Sequence, residues 1–162
     1  MSDTARSRGN EPQRLRLPLL DRLLDTETEL SRDAAVEVLR AAVRRDMEAL
    51  LNARRRRLPL PPGLTELVVS PLGYGVPDPT AGSFTAEDSR QALAREVELA
   101  LRRFEPRLSS VSVTLAEMEN PTLDRTLRLR VEAVLRTDPV PEQIAFETVL
   151  RPATLDVAVR ER

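Results

Sequence analysis

The hydrophobic repeat of this chain changes once, at Pro106, and that change limits the folds open to it. Before Pro106 apolar residues recur every three or four positions. Val36, Leu39, Val43, Met47 and Leu50 form one such set, and Leu93, Val97, Leu101 and Phe104 form another. This spacing places each set on one face of a helix. After Pro106 the repeat becomes two. Val111, Val113 and Leu115 alternate with polar residues, and so do Leu127, Leu129, Val131, Ala133 and Leu135. Ile144, Phe146 and Thr148, then Leu155, Val157 and Val159, continue the pattern. Such runs predict antiparallel strands with one buried and one solvated face. Helices followed by strands specify an α+β domain, its N-terminal helices packed on a mostly antiparallel sheet of three to four strands. At 162 residues, one domain with its own core accounts for the chain.

Local signals place the element ends. Ser31 is suited to cap a helix running to Asn52. Arg54 to Arg57 follow, where positive charge complements the helix dipole or meets a partner. Thr85-Ala86-Glu87-Asp88 resembles a capping box for a second helix, which Pro106 ends. Between Leu58 and Ser83 the chain is rich in Pro and Gly, and within it only Leu64 to Ser70 has the composition of a short strand. Asn120-Pro121 and Asp138-Pro139-Val140-Pro141 supply turns between strands. Residues 1–14 are polar and read as a mobile tail ahead of a domain over 15–162. The next segment, Leu19-Leu20-Asp21-Arg22-Leu23-Leu24, predicts a helical turn that docks on the body or serves as an arm for a partner.

Composition narrows the chemistry. The chain has no His, no Cys and no Lys, so His-based triads, thiol nucleophiles, zinc fingers and Lys chemistry are excluded. The 25 basic residues are balanced by 26 acidic ones, which gives no electrostatic footprint for nucleic acid. Three Phe and one Tyr offer little surface for stacking bases or sugars. Carboxylates at Glu87, Asp88, Glu96 and Glu98 share their helix with Arg90, Arg95 and Arg102, the pattern of an exposed face. Asp124 and Glu132 have no spacing that selects them as a glycosidase pair. No cofactor, metal or catalytic residue is expected. No run approaches the roughly 20 apolar residues of a membrane span, and the expected location is the cytoplasm.

One segment stands apart: Phe104-Glu105-Pro106-Arg107-Leu108. Held extended by Pro106, it would bury Phe104 and Leu108 and turn Glu105 and Arg107 together to the outside. The Arg107 fork would then suit carboxylates or carbonyls of a protein partner.

Four short motifs follow in order: Leu19-Leu20-Asp21-Arg22-Leu23, Asp46 through Leu51-Asn52-Ala53-Arg54, Tyr74-Gly75-Val76-Pro77-Asp78, and Phe104 to Leu108. With this set, from Leu17 to Val159, the chain resembles the TssE family of type VI secretion baseplate wedge subunits, similar to the small wedge proteins of contractile-tail phages. Ala53 departs from it, Thr being commoner there. The resemblance implies a structural role, in which the subunit links the wedge core built by TssF and TssG, with TssK in the same baseplate, to the sheath subunits TssB and TssC. It implies that Glu105, Pro106 and Arg107 dock to the wedge core, with Leu20, Asp21 and Arg22 as further partner contacts. It also implies that sheath strands add to the sheet edge, offered by the strands near Leu127 to Arg136 or Ile144 to Val159. The lysozyme-related label attached to the family finds no acid/nucleophile pair here. A regulatory adaptor of the same fold is the alternative role.

Overall fold

The computed structural model describes residues 19–24, 31–56, 58–78, 87–116, 126–137, 140–150 and 156–161. The expected tail 1–14, Thr85 of the capping box, Leu155 and the two strand-linking turns at 120–121 and 138–139 lie outside these residues. Three α-helices precede four strands: α1 (Leu19–Leu24), α2 (Arg32–Asn52), α3 (Glu87–Phe104), β1 (Leu108–Leu115), β2 (Leu127–Leu135), β3 (Glu142–Leu150) and β4 (Val157–Glu161). The α+β architecture follows the change of period at Pro106.

The α2 helix starts where the sequence places it. Ser31 Oγ accepts from the Ala34 N–H at 3.3 Å, taking up one of the donors that a helix start leaves over. Its apolar stripe is buried in full, and Ala35, Ala42 and Leu51 widen it. At the other end the Arg54 guanidinium donates to the Leu51 carbonyl at 2.9 Å, which supports the dipole-matching reading for this arginine. The Pro/Gly-rich excursion then returns to the helix end. The Arg55 N–H donates to the Val76 carbonyl and the Val76 N–H to the Ala53 carbonyl, at 2.9 and 3.0 Å. Gly75 permits this return: its φ is +102°, and a Cβ there would lie 2.5 Å from the Ala53 oxygen.

Leu64 to Ser70 is not the short strand its composition suggests. Thr65–Val69 forms a 3₁₀ helix, followed by another at Pro71–Gly73. Among the described residues the segment pairs with no strand, and its backbone closes on itself through bonds such as Leu67 N–H to the Leu64 carbonyl.

The sheet is an antiparallel meander in the order β1-β2-β3-β4. Its register sets Val131 opposite Phe146 and Thr148 opposite Val159. The alternation holds: Leu127, Leu129, Val131, Ala133 and Leu135 all face inward. A bulge between Ser109 and Ser112, with Ser110 at φ 51°, marks the start of β1. The α3 helix lies over β1 and α2 over β4, so both helices cover the same face and the core fills the space between. One expectation is corrected by this order. The Leu127–Arg136 strand is paired on both sides and offers no edge. The edges are β1 and, from the Ile144–Val159 run, β4 alone.

Candidate partner-binding site

Helix α3 ends at Phe104, where the Glu105 N–H makes the last helical bond to the Leu101 carbonyl at 2.9 Å. The chain does not then run extended. The Leu108 N–H returns to the Glu105 carbonyl at 3.1 Å, closing a four-residue turn with Pro106 second, where its fixed φ belongs. Phe104 is half-buried and Leu108 buried, as expected, and Pro106 is exposed. Glu105 does not point outward. It is only 3% exposed, because Arg107 folds back over it. The Glu105 carboxylate accepts from the Arg107 backbone N–H at 3.3 Å and from Nε and a terminal nitrogen of the same guanidinium.

Arg107 also reaches α2, donating to Asp46 Oδ2 at 2.6 Å. Asp46 Oδ1 in turn accepts from Arg45 Nε at 3.1 Å, and Arg45 bonds Asp21 of α1 at 3.0 Å. Five alternating charges, Asp21–Arg45–Asp46–Arg107–Glu105, thus join α1, the middle of α2 and the turn into β1. The electrostatics agree with the geometry. The Arg107 pKa stands well above the ordinary arginine value, raised chiefly by its bond to Glu105 against the opposing effect of burial. Arg45 is raised as well, first by Asp21 and then by Asp46.

Beside this chain of charges, Asp46, Met47, Leu50, Tyr74, Phe104 and Pro106 line a cleft of about 370 Å³. Tyr74 and Phe104 meet edge to face, centroids 5.2 Å apart. On α1, Asp21 turns toward α2 while Leu19, Leu20, Leu23 and Leu24 remain exposed, Leu20 at 59%. Four leucines on one short exposed helix form an apolar patch of the kind that marks a protein contact. The Arg22 side chain lies outside the described residues.

The structure therefore brings Asp21, Glu105 and Arg107 into one network and leaves Leu20 and Pro106 at its surface. Sequence reasoning missed Arg45, which the helical repeat assigns to the solvent face, and gave Asp46 and Tyr74 no role beyond motif membership. Only the side of α2 that meets the turn distinguishes Arg45 from Arg44. Every carboxylate in the network is held by a guanidinium, so the arrangement braces α1, α2 and the turn against one another. Among the described residues, no three acidic side chains gather in a way that could hold a metal ion. No helix among them is long and apolar enough to cross a membrane.

A family model described as baseplate wedge protein gp25 matches residues 37–140, more than half of the chain. The matched span holds Asp46, the Tyr74 loop, α3, the Glu105–Arg107 turn, β1 and β2, while α1, β3 and β4 lie outside it. No curated protein matches the chain. With its ordered motifs and its helix-then-sheet architecture, this chain belongs to the baseplate wedge protein gp25 family, the family of TssE, and its role is that of a structural component of a phage-tail-like baseplate.

Proposed function

We propose that this chain is the TssE-type wedge subunit of a type VI secretion baseplate, joining the TssF–TssG wedge core to the TssB–TssC sheath, with TssK in the same assembly. It works in the cytoplasm as a scaffold and catalyses nothing. The observation that carries this reading is the charge brace. It ties Asp21 of α1, through Arg45 and Asp46, to Arg107 beside Pro106 and the Tyr74–Phe104 cleft, so two motifs far apart in sequence are joined by one chain of ion pairs. The joined motifs suit docking to the wedge core, with Leu20 and Pro106 as contacts and Asp21, Glu105 and Arg107 as the residues that hold them in place. Arg22, next to Asp21 in the same motif, belongs to the docking set. The sheet supplies the second function, since its outer strands can accept a strand from a sheath subunit.

Leu20→Arg tests the docking surface without touching the core, because Leu20 is largely exposed. The variant is expected to keep its melting temperature and to lose co-purification with TssF and TssG. Undiminished co-purification would remove α1 from the docking surface. In a peptidoglycan turbidity assay the protein is expected to give no clearing; clearing that one carboxylate substitution abolishes would restore the hydrolase reading.

A further inference from the structure

The arginine run after α2 divides its work. Arg54 serves the helix end, and Arg55 crosses to α3, where it donates to Glu96 at 2.7 Å. Arg56 is exposed, and among the described residues no hydrogen bond or ion pair holds it. Arg103, in the last turn of α3, is half-buried and likewise unpaired among the described residues. The helix dipole favours a cation at that place but leaves the guanidinium donors open. Arg56 and Arg103 line one groove of about 350 Å³, whose other charged groups are the paired Arg55 and Glu96. Three guanidiniums thus meet a single carboxylate there, on a chain whose net charge is −1.

Between its charges the groove is apolar. Leu58, Leu60, Val68, Leu72 and Leu99 line it, and Leu58, Leu72 and Leu99 are each about half exposed or more. Apolar surface left open in this way, rimmed by charge, marks a contact site for a protein. The two 3₁₀ helices bring Val68 and Leu72 to one side, with Gly73 packed so closely on the Val68 carbonyl that a Cβ has no room. Helix α3 supplies the other side through Leu99. Gly73 and Arg103 line this groove, whereas their chain neighbours Tyr74 and Phe104 line the cleft beside Asp46. Consecutive residues therefore serve two separate depressions. Both rings go to the cleft, and among the described residues no aromatic side chain lines the groove.

We propose that this groove is a second docking site, which takes a short acidic segment of a partner protein with apolar residues among its carboxylates. Apolar side chains of the segment settle between Leu72 and Leu99, and its carboxylates bond to the planar forks of Arg56 and Arg103. Charge complementarity sets the acidic character of the occupant, and the leucine lining sets its apolar character. The volume admits a few side chains of a peptide and no folded domain. A nucleic acid fits less well, since its bases would find no ring to stack on. The site includes neither α1 nor Glu105 and Arg107, so it stands apart from the wedge-docking reading above.

The test selects binders to the whole chain from a display library of random peptides and measures their affinity by fluorescence polarisation. Enriched peptides are expected to combine Asp or Glu with Leu, Ile or Phe, and to bind more weakly as salt rises. Arg56→Glu and Leu99→Asp, both at exposed positions, should each weaken binding about tenfold or more and keep the thermal melting curve of the wild type. Should Leu99→Asp not fold, Arg56→Glu still decides the site. Leu20→Arg should bind the peptides as the wild type does; a loss there would merge the groove with the wedge-docking surface and overturn a second site. Failure to enrich any peptide, enrichment without acidic residues, or binding indifferent to Arg56→Glu would overturn the assignment. Phosphatidylglycerol vesicles and a single-stranded oligonucleotide are expected not to bind. If either binds the wild type and not Arg56→Glu, the groove takes phosphate and the proposal falls. Self-association that Arg56→Glu abolishes would give the groove to a second copy of the chain and overturn it equally.

Discussion

Tyr74 is the only tyrosine in the chain, so its titration can be followed without interference. Its pKa is raised above the ordinary 10.0, first by burial and then by the negative charges of Asp46 and Glu105. The folded state thus holds the phenolic proton more tightly than the unfolded state does. The sign follows: between the unfolded and folded pKa values the native chain binds more protons, so this contribution is intact below pH 10.0 and is lost as pH rises above it. Ultraviolet titration is expected to show the phenolate appearing later than in the denatured chain, and Tyr74→Phe should lessen the alkaline loss of stability. An ordinary titration midpoint would mean that Tyr74 is open to solvent. Thr148 makes the complementary point inside the core. It is 1% exposed, opposite Leu129 and Val159, and among the described residues its Oγ1 has no hydrogen-bond partner. Burying an unsatisfied hydroxyl costs about 1–3 kcal/mol, while Val has nearly the same shape. Thr148→Val is therefore expected to raise the denaturant midpoint, by about 1 kcal/mol of stability. The period-two pattern assigned Thr148 correctly to the inner face, but no pattern shows that its hydroxyl lacks a partner.

Between elements, the brace makes unequal demands on its members. Glu105 is buried and depends on Arg107, whereas Asp46 is 41% exposed at its side chain. Arg107→Ala would strand a buried carboxylate and is expected to lower stability by about 3 kcal/mol. Asp46→Ala removes a partly solvated pair and should cost about 1 kcal/mol or less. Urea denaturation of the two variants measures the difference; equal losses would mean that Glu105 is not held in the way described. For this reason a charge reversal at Arg107 disturbs folding and docking together, and Leu20 is the cleaner probe. The turn was also where sequence reading failed. Alternation of faces applies to extended chain, and Pro106 does not impose extended chain here. Proline serves equally well as the second residue of a turn, and the bond from Leu108 to Glu105 selects that use. The 3₁₀ helix at Thr65–Val69 is a similar case. Its apolar residues suit a strand, but a strand needs a neighbour and this segment has none among the described residues.

Across the whole molecule, an open four-stranded sheet leaves two edges, and each helix manages the one beside it. The Glu98–Arg102 pair at β1 should keep the chain from pairing with copies of itself. The double variant Glu98→Ala, Arg102→Ala is expected to self-associate with concentration in analytical ultracentrifugation, where wild type does not. A variant with unchanged sedimentation would show that the charges do not guard the edge. Membership of the gp25 family agrees with this architecture of helices followed by a sheet.

The amino-acid sequence determined the class of fold, the ends of α2, the inward faces of the four strands and the family, because these depend on periods and motifs that neighbouring residues impose on one another. The absence of His, Cys and Lys likewise excluded whole chemistries before any coordinate was known. Tertiary structure decided which side chains meet. That Asp21 reaches Arg45, that Arg107 turns inward to Glu105, and that Asn52 occupies the edge of β4 from 105 residues away depend on how the helices lie across the sheet. Such contacts leave no periodic trace, since each is made by a single side chain whose partner is set by the packing of elements rather than by the residues beside it.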